Sequence, residues 1–417
     1  MDKNASRALL FSTMAFAANF SVWLLYAVLG IQLQTQLSLS ATQLGLFFAA
    51  PMFSGAVIRI PIGILVDHWS PKKCFILQML VVIPALLLLP FASSFQHYLI
   101  LGLWLGISGS SFIIGIRYIN DWFPRAHQGT AMGVFGVGNA GAAITLALAP
   151  VIIERWGQAA LGPIYAAGLL LTTLIFAGFA PEPRQTRKPS KTNAPTPPRF
   201  NLRILRFGLY YYFVFGSFLA LILWLPQYYL KAYDLSVREA MAFTIFFVAS
   251  SSMVRAPGGW IADRFGGRAV NWSVFWICLV CLFFLSYPPT TMTIHGIHRD
   301  VVLNIEINVW VFSALLTVIG IAQGFGRASV YKMIHEYYPQ QMGLIGGLVA
   351  AIGALGGCTL PIAFGLAVDF IGIYSACFMV LYGVLAACMI VMFLALKTDR
   401  FNQRVQQATM YNFLEHD

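Results

Sequence analysis

The chain has 417 residues, of which 59% are hydrophobic and only 10% are charged. Soluble domains average about 45–50% apolar and about 25% charged residues, so this composition excludes an ordinary soluble protein. Apolar runs of twenty or more residues recur, each long enough to cross a hydrocarbon core about 30 Å thick. The net charge of +11 lies in loops between these runs, as the positive-inside rule describes, rather than in a nucleic-acid-binding patch. We therefore predict an all-α, polytopic membrane protein with no nucleic-acid partner.

The apolar runs form two groups of six, separated by a polar stretch. The first group covers approximately residues 9–33, 43–66, 74–94, 98–123, 129–153 and 161–180. Residues 181–203 are rich in Pro, Thr, Lys and Arg without apolar periodicity, which indicates a flexible linker. The second group covers approximately residues 205–229, 237–262, 270–287, 308–331, 342–368 and 374–396. We predict an N-terminal six-helix bundle (1–180), the linker (181–203), a C-terminal six-helix bundle (204–396) and a polar tail (397–417).

The basic residues predict the orientation of the twelve spans. If the N-terminus, the loops after even-numbered spans and the tail share one side, most of the 26 Lys and Arg residues lie there. The other side holds only Arg155, Lys231, Arg238 and Arg299. Because cytoplasmic loops carry the excess of Lys and Arg, both termini and the linker are predicted to be cytoplasmic.

One pattern occurs once in each half. Arg59 stands eight residues before Asp67, and Arg255 stands eight residues before Asp263; each Arg is followed by X-Pro-X-Gly. Both pairs are offset by 196 residues (255 − 59 and 263 − 67). A charged residue at bilayer depth costs about 2.5–3.5 kcal/mol on insertion scales and marks a functional site by default. Matched cations in two half-chains predict one site on the pseudo-twofold axis between them.

A second repeat extends the relation between the halves. The fourth span ends with a cation, an acid, an aromatic pair and proline from Arg117 to Pro124, and the tenth repeats this order from Lys332 to Pro339. A glycine-rich span follows each. Gly-xxx-Gly spacing lets helix backbones pack closely, which is its commoner use, and dense glycine also lets a helix bend as a gate. The candidate gating glycines are Gly133, Gly136, Gly138, Gly141, Gly353, Gly356 and Gly357.

The chemistry of Arg59 and Arg255 predicts an anionic substrate. No Asp or Glu lies deep within any predicted span. A buried guanidinium is unfavourable unless something supplies negative charge, and the simplest supplier is the substrate. Arginine favours a planar oxyanion, because its fork donates two parallel hydrogen bonds and its charge cannot be lost. For either residue alone, snorkelling towards the cytoplasm is the alternative.

The segments around the two aspartates resemble the loop signature of the major facilitator superfamily. The resemblance implies a twelve-helix transporter built from two six-helix repeats, with a cytoplasmic latch that forms in one state and opens in the other. A fixed structural ion pair is the alternative. The latch residues would be Asp67, Lys72 and Lys73 in the first half and Asp263, Arg264 and Arg268 in the second.

The run from Gly136 to Gly141, which contains Asn139, resembles the nitrate signature of the nitrate/nitrite porter family within that superfamily. The resemblance implies a monomeric transporter of a small inorganic anion, nitrate or nitrite, in the bacterial inner membrane. It implies neither cofactor nor metal. Its substrate-binding residues would be Arg59, Arg255, Phe20, Phe112, Asn139, Tyr211 and Phe215.

The tenth span departs from the family's usual Gly-Asn-Gly pattern and adds Arg327 and Lys332, two candidates for a coupling role. Proton symport usually needs an intramembrane carboxylate or histidine, and none lies deep in a predicted span. An empty site would carry two bare cations across the cycle. We therefore predict exchange of nitrate against nitrite, with nitrate/proton symport as the alternative.

Other functions fit the sequence less well. An organic-anion or phosphate-ester exchanger also uses paired arginines, but the predicted aromatic pocket is small and dry. A sensor that signals through its tail would need more than the short polar segment after Lys397. An enzyme is disfavoured because no nucleophile–base pair or metal cluster is visible in the sequence.

Overall fold

The computed structural model describes residues 3–123, 125–182, 202–295, 297–338 and 342–414. Within these ranges, eleven helical segments are long and apolar enough to cross a membrane. A twelfth span consists of two helices, Val237–Met253 and Arg255–Phe265, bent by 43° at Val254. The twelve predicted spans are therefore confirmed, with ends that differ by a few residues. Most of the predicted linker, 183–201, lies outside the described residues.

The first half contains ten helices, several of which join end to end within one span. They are α1 (Lys3–Trp23), α2 (Tyr26–Gln36), α3 (Ala41–Val57), α4 (Arg59–His68), α5 (Pro71–Leu88), α6 (Phe95–Leu105), α7 (Ser111–Asn120), α8 (Arg125–Gly136), α9 (Gly141–Trp156) and α10 (Leu161–Phe179).

The second half contains eight helices and a hairpin. They are α11 (Leu202–Tyr211), α12 (Ser217–Ala232), α13 (Val237–Met253), α14 (Arg255–Phe265), α15 (Gly267–Leu285), β1 (Thr290–His295), β2 (Asp300–Ile305), α16 (Val309–Tyr337), α17 (Met342–Ile371) and α18 (Ala376–Leu414). The antiparallel hairpin, an exposed pair of strands, lies within the insertion between the ninth and tenth spans. Helix α18 continues to Leu414, past the predicted boundary at 396 between span and tail.

Two proline residues interrupt the spans that carry the repeated arginines. Proline has no N–H to donate to the carbonyl four residues earlier, and its ring clashes with that carbonyl. Pro61 therefore cannot complete the turn that begins at Val57, and α3 ends there, so that α4 begins at Arg59. Pro257 has the same relation to Met253, where α13 ends before α14 begins at Arg255. Each arginine is thus the first residue after a break.

Three further spans contain, in their interior, short turns that are not α-helical. Gly106–Ser110 and Val137–Ala140 form 3₁₀ turns, and Tyr212–Gly216 forms a π turn. Such turns change which carbonyl groups are bonded within the helix, and π turns are frequent at functional sites. Their positions matter because each lies next to an arginine described below.

Helices α3 and α17 pack closely at the end of the bundle opposite the linker. A methyl group at Gly45 would lie 2.8 Å from the carbonyl carbon of Pro361 and 2.9 Å from the Cα of Ile362. At Gly365 it would lie 2.7 Å from the Cα of Thr42. Glycine is required here because backbone contacts backbone. The two halves are therefore closed against each other at this end.

Asp369 adds a charged contact to the same closure. Its carboxylate accepts from the backbone N–H groups of Ala41 (3.1 Å) and Thr42 (2.8 Å) and from the Thr42 hydroxyl. These N–H groups belong to the first turn of α3, where the helix dipole favours a negative charge. A carboxylate in the second half thus caps a helix in the first half.

We expect Asp369→Asn to loosen this end, because the amide nitrogen cannot accept a hydrogen bond from α3. Gln34 on α2 is hydrogen-bonded to Gln227 on α12, so a cysteine at position 34 lies between the two halves. In a variant carrying Gln34→Cys, a membrane-impermeant thiol reagent should label the cysteine severalfold faster when Asp369→Asn is added. Asp300→Asn, in the exposed hairpin, is the matched control. Equal labelling rates in all three proteins would contradict a closing role for Asp369.

Candidate anion-binding site between the halves

Arg59 is buried between the two halves, with 3% of its surface exposed. Its Nε donates to the Gly109 carbonyl (3.2 Å), which belongs to a 3₁₀ turn of the first half. Its Nη1 donates to the Ala350 carbonyl of α17 in the second half (2.9 Å). Both acceptors are neutral. Arg59 therefore bridges the halves without a carboxylate partner among the described residues.

Arg255 occupies the matching position in the second half and is 7% exposed. Its Nη1 lies 3.4 Å from the Gly136 carbonyl, at the end of α8 in the first half. The first arginine thus reaches the glycine-rich eleventh span, and the second reaches the glycine-rich fifth span. The repeat predicted from sequence extends to these reciprocal contacts.

Asn139 joins Arg255 to a third buried arginine. With its amide oxygen facing the guanidinium groups, Asn139 accepts from Arg255 Nη1 (2.8 Å) and from Arg327 Nη1 (3.1 Å). The reverse orientation would place the amide NH₂ against two cationic donors, so we assign the oxygen to this side. Asn139 is 1% exposed and Arg327 is fully buried. The predicted ligand Asn139 is therefore at the site, together with an arginine whose role the sequence left unassigned.

Aromatic rings surround the guanidinium groups. Phe112 lies 5.9 Å from Arg59 Cζ and 6.0 Å from Arg255 Cζ, measured to the ring centroid. Arg59 also lies over Phe215 at 5.7 Å. Such distances are in the range of cation–π attraction, worth about 2 kcal/mol or more when desolvated. The two predicted rings Phe112 and Phe215 therefore contact the arginines.

Two other predicted aromatic residues lie one ring further out. Phe20 packs edge-on against Trp23 at 5.7 Å, and it is Trp23 that lies over Arg59 at 5.2 Å. Tyr211 stacks on Phe215 at 5.1 Å and meets Tyr331 edge-on at 5.3 Å. Sequence reasoning missed Trp23 and Tyr331. Phe, Tyr and Trp are frequent in this chain, so the sequence does not indicate that these two rings in particular lie near the arginines.

The candidate gating glycines lie at close contacts. A methyl group at Gly136 would lie 2.7 Å from Arg255 Cζ, and one at Gly356 would lie 2.8 Å from the Cα of Gly216. The other candidates also face nearby atoms: Gly138 faces Phe16, Gly141 the Ala17 backbone, Gly353 Tyr211, Gly357 Leu219 and Gly133 Ala256. These contacts agree with the packing alternative, and several of the glycines contact residues of the site itself.

The candidate latch residues make several separate contacts. Lys332 Nζ lies 2.8 Å from Asp263 Oδ1, and Lys72 Nζ lies 3.7 Å from Glu182 Oε1. Arg264 lies over Trp260 and Phe265, Arg268 donates to the Tyr337 hydroxyl, and Lys73 is exposed. Arg117 pairs with Asp121. The side chain of Asp67 lies outside the described residues. Asp263 thus pairs with Lys332 rather than with a neighbouring arginine.

We expect Gly136→Ala to displace the Arg255 guanidinium, because the added methyl group occupies its place. Anion uptake should fall by about tenfold or more, since a misplacement of about 1 Å can cost about 100-fold. Gly168→Ala, where a methyl group meets no atom within 4 Å, is the control. Uptake assays on equally expressed proteins measure the effect, and unchanged uptake by Gly136→Ala would contradict it.

Comparison with known proteins identifies the sequence relatives of the chain. A sequence profile of the Major Facilitator Superfamily matches residues 11–303. The probable nitrate/nitrite antiporter NarK1 of Thermus thermophilus is 34% identical over 391 residues, which cover 90% of this chain and 88% of that protein. The nitrite extrusion protein of Bacillus subtilis (strain 168) is 27% identical over 370 residues, covering 88% and 89%. The matches to the two relatives extend over nearly the whole chain.

Solved structures with low sequence identity share the fold. A bacterial homolog of the human lysosomal transporter Spinster, inward-facing and occupied, aligns with a TM-score of 0.69 at 16% identity, covering 95% of this chain and 98% of its own. The human organic anion transporter MFSD10 aligns with a TM-score of 0.68 at 14% identity, covering 93% and 99%. The predicted fold class is confirmed, and the chain is a transporter rather than an enzyme. The chain belongs to the major facilitator superfamily and, within it, to the nitrate/nitrite porter family.

Proposed function

We propose that this protein exchanges nitrate and nitrite across a bacterial cytoplasmic membrane by alternating access. One observation carries the proposal: guanidinium groups from both halves are buried together, and their hydrogen-bond acceptors are neutral. The guanidinium groups of such a site would interact more strongly with an anion than with these neutral acceptors. The names of the relatives, a nitrate/nitrite antiporter and a nitrite extrusion protein, support this choice of anion.

The binding site would lie between the halves at the level of the two helix breaks. Arg59 and Arg255 would hold the oxygen atoms of the anion, while aromatic faces enclose it. We propose that Asn139 contributes a polar contact and that the other rings complete the wall. All the substrate-binding residues predicted from the sequence thus have a proposed role at the site: Arg59, Arg255, Phe20, Phe112, Asn139, Tyr211 and Phe215.

The packing of the rings supports a small anion over an organic one. Phe112 lies 5.6 Å from Phe16 and 6.5 Å from Tyr331, while Tyr331 contacts Tyr211. These centroid distances are those of rings in direct contact, so little space remains for an organic group. Nitrate is planar, singly charged and weakly hydrated, which suits aromatic walls. Phosphate esters carry more charge and would need more donors.

The charge of the site supports exchange over net uptake. Guanidinium groups that share the acceptor oxygen of Asn139 repel each other by about 3 kcal/mol at an effective dielectric constant of about 20. A bound anion offsets part of this repulsion, so the loaded protein crosses the cycle at lower cost. Lys332, the candidate proton carrier, is paired with the exposed Asp263 and is itself partly exposed. That position suits a latch better than a buried proton site.

Both termini and the linker would face the cytoplasm, and the protein would act as a monomer of two six-helix bundles. Asp263 and Lys332 would then form a contact at the cytoplasmic end of the second half. Asp369 would help to close the opposite end. Alternating access would require these contacts to break in turn as the halves rock.

We expect Arg59→Lys and Arg255→Lys to abolish nitrate uptake without reducing expression. The Nε and Nη1 of Arg59 donate to carbonyl groups in different halves. A single ammonium cannot make both of these contacts and also bind an anion. Arg299→Lys, in the exposed hairpin, is the matched control. Nitrate and nitrite uptake should be measured in cells with protein levels checked by immunoblot. Full uptake by both variants would contradict the assignment.

We expect reconstituted protein to take up nitrate only when nitrite or nitrate is present inside the liposomes. The buried cations make the return of an unloaded site unfavourable. Labelled nitrate uptake, with and without internal anion, measures the dependence. Uptake into anion-free liposomes driven by a pH gradient, abolished by Lys332→Met but retained by the exposed Lys231→Met, would establish proton symport instead.

A further inference from the structure

Arg327 is the buried charge that the proposed exchange leaves without a role. It is fully buried within α16. Its Nη2 donates to the Ser251 carbonyl (2.7 Å) and the Ser251 hydroxyl (2.6 Å), and its Nε donates to the Gln323 carbonyl (3.3 Å). The guanidinium lies over Phe218 at 4.0 Å. Arg327 is therefore fixed on three sides by its own half of the protein.

The remaining contact of Arg327 crosses to the first half. Its Nη1 donates to the Asn139 oxygen at 3.1 Å, the same oxygen that accepts from Arg255. Four of the five N–H donors of Arg327 are then used by protein atoms. Such a guanidinium has little capacity left for direct contact with an anion, and among the described residues its one hydrogen bond to the first half is the one to Asn139.

The Asn139 amide can present either its oxygen or its NH₂ group to Arg255. Arg327 is held rigidly on the same side and is compatible only with the oxygen orientation of Asn139. The reverse orientation would place the amide NH₂ against a guanidinium N–H and leave donors unpaired in a dry site. Arg327 therefore determines which end of Asn139 faces Arg255. Since Arg255 needs an acceptor, this determines how Arg255 is aimed.

The internal repeat supports a role at the site. Arg117 and Lys332 are equivalent in the second sequence repeat, and the same offset makes Phe112 the equivalent of Arg327. Phe112 lies beside both Arg59 and Arg255. The position that carries a ring in one half thus carries a cation in the other, at the same level of the protein.

We propose that Arg327 is a positioning residue of the anion site. It fixes the Asn139 oxygen as a neutral acceptor for Arg255, and an oxygen of the substrate takes the place of that acceptor on binding. The role rests on the proposed function, because the displaced acceptor is a stand-in for nitrate or nitrite. In this role Arg327 does not itself contact the substrate.

A double-mutant cycle tests whether Arg327 acts through Asn139. Nitrate affinity is measured on purified protein from the dependence of melting temperature on nitrate concentration. Arg327→Gln and Asn139→Ala should each weaken binding by about tenfold, and the double variant should also lose about tenfold. Arg327→Lys should resemble Arg327→Gln, because one ammonium cannot hold both Ser251 and Asn139.

The outcomes of the cycle are distinct. A double variant that loses about 100-fold would show independent roles and overturn the proposal. Wild-type affinity in Arg327→Lys would show that charge alone matters and would overturn it as well. The exposed Arg299→Gln should bind nitrate as the wild type does. If nitrate and nitrite fail to stabilise even the wild type, the proposed function fails together with this role.

Asn139→Asp gives a second test that does not depend on the removal of a buried arginine. The carboxylate would bind Arg255 and Arg327 as an internal anion. This variant should melt at a higher temperature than the wild type in nitrate-free buffer and should lose the nitrate-dependent shift. A wild-type melting temperature with a full nitrate shift in Asn139→Asp would overturn the proposal even if the wild type binds nitrate as proposed.

Discussion

The structure depends on positive charge that is buried with no carboxylate partner among the residues that the structure describes. Arg59, Arg255 and Arg327 are at most 7% exposed, and the hydrogen-bond acceptors recorded for them are backbone carbonyls, a serine hydroxyl and an amide oxygen. Neutral acceptors satisfy the donors but leave the charge in place. A protein that must keep an anion site strong and still release the anion is served by this arrangement, since a buried carboxylate would compete with the substrate.

Two of those acceptors lie where the backbone departs from a regular α-helix. The breaks before Arg59 and Arg255 follow from Pro61 and Pro257, whose rings prevent a continuous α-helix. The 3₁₀ turn that contains Gly109 presents its carbonyl to Arg59, and the next 3₁₀ turn presents Asn139. These irregular turns and the Ala350 carbonyl of α17 together provide part of the polar lining of an otherwise apolar interior.

The sequence predicted the spans and the paired arginines because both signals are local. Hydrophobic length sets span ends, and a cation inside an apolar run is visible on its own. Arg327 was equally visible, but its role depends on Ser251 and Asn139 in other spans, which no sequence spacing reveals. Trp23 and Tyr331 were missed because Phe, Trp and Tyr make up 15% of the chain, so aromatic content does not show which ring faces a guanidinium. The pairing of Lys332 with Asp263 likewise required the tertiary fold.

The site is symmetric in the contacts of Arg59 and Arg255 and asymmetric at the equivalent positions Phe112 and Arg327. Arg59 donates to a carbonyl in α17, and Arg255 approaches a carbonyl at the end of α8, so the arginine of each half contacts the glycine-rich span of the other half. Symmetric contacts of this kind can break and re-form equally as the halves rock. Phe112 and Arg327, which occupy equivalent positions, are not symmetric: the first half contributes a ring and the second a fixed charge. The second half, which contributes both Arg255 and Arg327, is therefore the more positive side of the site.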